Sequence, residues 1–96
     1  MVSLNDVRER KSDIFELAEK RGISDIRVFG SFARGTASER SDLDLLVKVD
    51  SNRSLLDRIG FMNDLQDLLH VKVDVVNENA LNNLIRESIL KEGIPL

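Results

Sequence analysis

The chain has 96 residues, with 14 Lys and Arg against 17 Asp and Glu and a formal net charge of -3, which excludes a protein that grips nucleic acid through bulk positive charge. Hydrophobic residues make up 42% and there is one Pro, so disorder and collagen-like repeats are excluded and one domain, residues 1–96, is expected. With no Cys and a single His, a disulfide framework, a thiolate nucleophile and a Cys- or His-rich zinc site are excluded as well. The polar N-terminus lacks the apolar stretch of a signal peptide and no run is long enough to span a bilayer, so a cytoplasmic protein with no membrane partner is predicted. The only aromatic residues, Phe15, Phe29, Phe32 and Phe61, read as core rather than as a stacking platform for single-stranded nucleic acid.

In chain order, the spacing of Leu4, Val7, Ile14, Leu17 and Ala18 predicts a first helix over 4–21, stopped by Gly22. Residues 25–29 (Ile26, Val28, Phe29) have the length of a strand ending at Gly30. A short helix is expected over 31–34, closed by Gly35, followed by a loop to Ser41. Residues 42–49 alternate, with Leu43, Leu45, Val47 and Val49 on one face and Asp42, Asp44, Leu46 and Lys48 on the other, which predicts a strand. Residues 54–69 carry a helical apolar stripe behind Ser54 and Asp57, placed as a capping box. That stripe reads as core or partner surface. Residues 71–76 form a β-branched strand, and Asn77 or Asn79 caps a last helix over 80–91 that Gly93 and Pro95 close. The order α-β-α-β-α-β-α describes an α/β (α+β) fold, a small mixed β-sheet of three short strands flanked by helices.

The alternation singles out three acids. Asp42 and Asp44 leave the same strand face roughly 7 Å apart, and Asp74 has the corresponding phase on its own strand. If the two strands are neighbours with their aliphatic faces buried together, the three carboxylates converge and repel unless a cation neutralises them, and hard oxygen ligands suit Mg²⁺. Gly30-Ser31, between a strand and a helical turn, offers backbone N–H groups and a hydroxyl to an anionic group. Together they outline a site for a Mg²⁺-nucleoside triphosphate.

Gly30-Ser31, ten residues from Phe32 to Ser41, then Asp42-Leu43-Asp44, with Asp74 on a later strand, resembles the signature of the DNA polymerase β-like nucleotidyltransferase superfamily. The fuller stretch from Phe29 to Val47 looks like its minimal nucleotidyltransferase (MNT) branch, small proteins often paired with a helical HEPN ribonuclease in toxin–antitoxin modules. The resemblance implies a polymerase β-like palm in which Asp42, Asp44 and Asp74 hold two Mg²⁺ ions, while Gly30, Ser31 and Arg34 contact the nucleotide. It also implies an antitoxin that transfers AMP from ATP to a tyrosine hydroxyl of a partner HEPN toxin. Because the chain contains no Tyr, such an acceptor lies in another protein. Larger members carry an added helical domain that grips base or acceptor, so here a partner or a homo-oligomer must take that part.

Each of these residues also has a plainer reading. An isolated Asp-x-Asp is most often a solvated strand face, Ser31 a helix cap, and Arg34 a surface charge paired with a carboxylate. Ser41 caps its turn or hydrogen-bonds a carboxylate, Lys72 is a surface lysine on the face of Asp74, and His70 is a packed or exposed helix-end histidine. As a whole-protein alternative, the chain is an inactive binding module that neutralises a toxin by occlusion. A small-molecule nucleotidyltransferase of the kanamycin type is disfavoured, since it needs further structure to hold its drug.

Overall fold

In the computed structural model, which describes residues 2–96, the first predicted helix is two: α1 (Leu4–Glu9) and α2 (Lys11–Lys20). Arg10, at φ -99° and ψ 17°, leaves the helical region and separates them, yet Val7 of α1 and Ile14 and Ala18 of α2 all reach the same core. The start of α1 is fixed by a capping box, in which the Ser3 N–H donates to the Asp6 carboxylate at 2.8 Å and the Asp6 N–H to Ser3 Oγ at 3.2 Å.

The first strand, β1, runs from Ile23 to Phe29, two residues earlier than expected, because Asp25 at φ 51° forms a bulge between Ser24 and Arg27. It is followed by α3 (Gly30–Arg34) and then β2 (Leu43–Val49), which leaves Asp42 just outside the strand. α4 (Leu55–Leu69) starts as predicted: the Leu56 N–H donates to Ser54 Oγ at 3.2 Å, and the Ser54 N–H to the Asp57 carboxylate at 3.2 Å. Ser54→Ala is expected to cost about 1 kcal/mol, lowering Tm by about 4–8 °C in a thermal melt.

The chain continues through β3 (Val73–Asn77) to the largest departure from expectation. Asn77 caps only a one-turn 3₁₀ helix (Glu78–Ala80), while Leu81 is extended at φ -91° and ψ 148° and postpones the last helix. Asn82 is its cap, accepting from the Ile85 N–H at 3.0 Å, so α5 spans Asn83–Glu92. Gly93 and Pro95, expected only to stop that helix, lead into β4 (Ile94–Pro95), which pairs antiparallel with Arg27 and Val28. The sheet therefore has four strands in the order β3-β2-β1-β4, with β2 antiparallel to β1 and parallel to β3.

One sheet face, carrying Val28, Leu43, Leu45, Val47, Val73 and Val75, is buried against Val7, Ile14, Phe61 and Leu65 of the helices. The opposite face carries Asp44 and Asp74. Leu46 shares that face and is fully buried, not the exposed side chain that strict alternation with the acids suggests. Its register partners are Arg27 and Val76, and the 3₁₀ turn packs against β2 beside it. Phe32 and Phe61 are core, whereas Phe15 is 42% exposed beneath the Lys11 ammonium, 5.4 Å from its ring centre.

β3 lies at a sheet edge, and α4 occupies that edge with side chains. The Val73 N–H donates to Gln66 Oε1 at 3.1 Å, and Arg58 Nη1 donates to the Val75 carbonyl at 2.7 Å. Among the described residues no helix is long and apolar enough to cross a membrane.

Candidate active site

The site is assembled where β1 ends and β2 and β3 begin. Phe29, Asp44 and Asp74 are register partners in one row across the three strands, so Asp44 and Asp74 project side by side from the same face. Gly30 follows Phe29 at φ +72°, and a Cβ built on it would run into the Asp44 carboxyl group. Only glycine meets both conditions, and the turn leading into Ser31 is thereby held against the acid. Phe29 supplies no side-chain cap to α3, so its first N–H groups are left without a side-chain acceptor.

The electrostatics follow from this packing. Burial raises the Asp44 pKa above its usual carboxylate value, the negative charges of Asp74, Asp42 and Glu92 push it the same way, and Arg34 pulls it down. Asp42, half-buried and just ahead of β2, borders a cleft of about 620 Å³ with Arg40, His70 and Lys72. Asp74 is exposed and borders a second cleft, of about 570 Å³, which also takes in Val49 at the end of β2, the following Asp50 and Ser51, and the start of α4.

The three acids expected to converge do lie near one another, since the charges of both Asp74 and Asp42 act on Asp44. Among the described residues no group of three His, Cys, Asp or Glu side chains is placed to hold a metal ion. Asp44 and Asp74 form the close pair, while Asp42 stands at the strand entrance beside the other cleft. The donor set still fits Mg²⁺, which usually takes one or two protein carboxylates and completes its shell with water and substrate phosphates.

The neighbouring residues divide. Arg34 Nη1 donates to Glu92 Oε1 at 2.6 Å, the surface pairing weighed against a nucleotide contact, although its charge also acts on Asp44. Ser41 braces its own loop, accepting from the Ser38 N–H at 2.8 Å, and not a carboxylate. His70 is the exposed, left-handed end of α4, and Gly35 at φ +75° ends α3, both as predicted. Glu92 went unrecognised in the sequence. It reaches Arg34 because β4 returns the end of α5 to β1, and no local pattern announces a two-residue strand.

Residues 12–96 match the family model described as Polymerase beta, Nucleotidyltransferase. The chain belongs to the polymerase β nucleotidyltransferase family. This nucleotidyltransferase is 42% identical over 79 residues to the protein adenylyltransferase MntA of Thermococcus cleftensis, covering 82% of this chain and 80% of that protein. It is similar to a solved structure assigned as a minimal nucleotidyltransferase, with a TM-score of 0.90 and 44% identity over 99% of this chain and 97% of the other. It also shares the fold of a Shewanella oneidensis complex described as a tri-AMPylated HEPN toxin with its MNT antitoxin. That likeness has a TM-score of 0.68 and 18% identity, over 92% of this chain and 69% of the other. In the nucleotidyltransferase fold of this chain, the Gly30-Ser31 turn and the Asp44–Asp74 pair lie on one sheet face, as their spacing led one to expect.

Proposed function

We propose that this nucleotidyltransferase transfers AMP from ATP to a hydroxyl group, a tyrosine phenol, of a partner HEPN toxin, and so acts as its antitoxin. One observation carries the reading: Gly30 lies so close to Asp44 that a Cβ there would meet its carboxyl group, which sets a turn suited to phosphate directly beside a pair of in-register carboxylates. The adenylyltransferase name of the Thermococcus relative supports the reaction, and the HEPN–MNT complex with the same fold supports the partner.

The N–H groups of the Gly30-Ser31 turn and the Ser31 hydroxyl would bind the β- and γ-phosphates and hold the departing pyrophosphate. Asp42, Asp44 and Asp74 would hold two Mg²⁺ ions, which supply charge neutralisation at the α-phosphate and lower the pKa of the acceptor hydroxyl. The acceptor oxygen forms a bond to the α-phosphorus while the bond from that phosphorus to its bridging oxygen breaks. Pyrophosphate leaves with the electron pair, and the exposed Asp74 carboxylate is placed to take the hydroxyl proton.

The test uses the chain, a HEPN protein taken as its candidate partner from the neighbouring gene, Mg²⁺ and ATP labelled on the α-phosphate. Label moving to the HEPN protein, and lost in Asp74→Asn, is the expected result. Tight binding with no label under any condition would sink the enzymatic reading. Occlusion is the second reading, favoured by apolar side chains left exposed, Leu55 at 59%, Leu56 at 75% and Leu84 at 82%. It is separated from the first by Asp44→Asn, which keeps toxin neutralisation only if burying the partner is enough.

A further inference from the structure

We infer that Glu92 is a positioning residue for the nucleotide: it holds Arg34 until the triphosphate arrives and then gives it up, so that the end of α5 sets how tightly ATP binds. Glu92 has this role only if ATP is the substrate, as the AMP-transfer reading has it. Arg34 stands one turn along α3 from Gly30, and its charge reaches Asp44. The charge of Glu92 reaches Asp44 as well, with the opposite effect, so the pair borders the place where the phosphates would lie. Arg34 Nη1 donates to Glu92 Oε1 at 2.6 Å, with the two side chains 56% and 33% exposed. A pair in that much solvent is weak. A triphosphate brings several charged oxygens to a guanidinium that suits them, and it displaces a single carboxylate.

Three features suit Glu92 to exchange rather than to holding the fold together. As the last residue of α5 it lies at the negative end of the helix dipole, where a carboxylate is unfavourable and a base such as Lys91 is the stabilising choice. No residue of α5 is buried, so its last turn can adjust without disturbing the core. A second cation also lies close by. The Arg27 stem packs against Gly93, where an added Cβ would sit 3.5 Å from the Arg27 Cβ, and Arg27 Nε is buried with no hydrogen-bond partner. Glu92, one residue before Gly93, therefore turns toward Arg27 when Arg34 leaves for the phosphates. The exchange gives the unpartnered Arg27 a carboxylate at the moment Arg34 gains a stronger anion.

The test measures binding of Mg²⁺ and α,β-methylene-ATP, which resists cleavage at the bond that transfer breaks, by calorimetry. The chain is compared with Glu92→Gln, Arg34→Gln and the double variant, each checked for folding by a thermal melt. Glu92→Gln is expected to lower Kd about three- to fivefold at low ionic strength, the share of affinity that a surface pair withholds, and to lower KM for ATP in the transfer assay by a similar factor. Glu92→Lys, which also frees Arg34 and suits the helix end, should tighten binding at least as much. Arg34→Gln is expected to raise Kd at least about tenfold. In that background Glu92→Gln should change Kd by less than about twofold, because no cation is left to release. An equal gain in both backgrounds overturns the exchange and makes Glu92 a merely repelling charge. Unchanged or weaker binding in Glu92→Gln and Glu92→Lys, in a chain that transfers AMP normally, overturns the inference alone. Failure of the unaltered chain to bind the analogue overturns the inference together with the reading beneath it.

Discussion

Gly30→Ala is expected to reduce AMP transfer by at least about 10²-fold while leaving a folded protein. The added methyl group meets two obstacles, a backbone at φ +72° and the Asp44 carboxyl group. The left-handed conformation alone costs roughly 1–2 kcal/mol for a residue with a Cβ, a drop in Tm of several degrees for a domain of this size. Relief of the clash has to move Asp44 or the turn, and misplacement by about 1 Å is enough for a 10²-fold loss. Gly35→Ala is the matched control. Its φ of +75° imposes the same backbone strain, but no atom lies within 4 Å of the added carbon. It should lose comparable stability and keep its activity, so a melt and a transfer assay on both variants separate strain from displacement. Equal activity losses in the two would show that backbone strain, and not contact with Asp44, is what matters at position 30.

Asp44→Asn is expected to abolish transfer, by about 10³-fold or more, and yet to make the metal-free protein more stable at neutral pH. Burial and the charges of Asp74 and Asp42 raise the Asp44 pKa above its usual 3.8. The folded state thus binds this proton more tightly than the unfolded state does. Stability falls as pH rises from 3.8 through the raised value, and the penalty persists above it. An amide removes that penalty. The side chain is partly solvated, so the gain is modest, a Tm increase on the order of a few degrees, and it should vanish in melts below the ordinary carboxylate pKa. Mg²⁺-ATP should reverse the ranking, because only the wild-type chain gains stability from binding it. If Asp44→Asn melts lower than wild type in EDTA at neutral pH, the carboxylate is not the strained group described above.

Much of this site was legible because its signals are local or have a fixed period. A two-residue alternation put Asp44 and Asp74 on the face away from the aliphatic core, and Ser54 with Asp57 declared the start of α4. Other features depend on contacts distant in sequence. β4 exists only because Ile94 and Pro95 find Arg27 and Val28, and the ion pair of Arg34 with Glu92 follows from that return. Leu46 is buried on the acidic face because the 3₁₀ turn packs against its strand, which alternation within β2 cannot reveal. Asn77 and Asn79 were the expected caps of the last helix, but the extended Leu81 delays that helix and Asn82 caps it. Asp42 was placed one residue too far inside its strand, which begins at Leu43, although its charge still reaches Asp44.

The occupation of the β3 edge by Gln66 and Arg58 bears on how such proteins diversify. With the outward Val73 N–H and Val75 carbonyl already bonded, and Pro95 unable to donate from the opposite edge strand, extending the sheet into another chain is disfavoured at both ends. Recognition between chains then falls to side chains on helices and turns, where substitutions leave the catalytic strands untouched. Duplicated copies in one genome could thus acquire mutually exclusive partners through surface changes alone, each keeping an unaltered reaction centre.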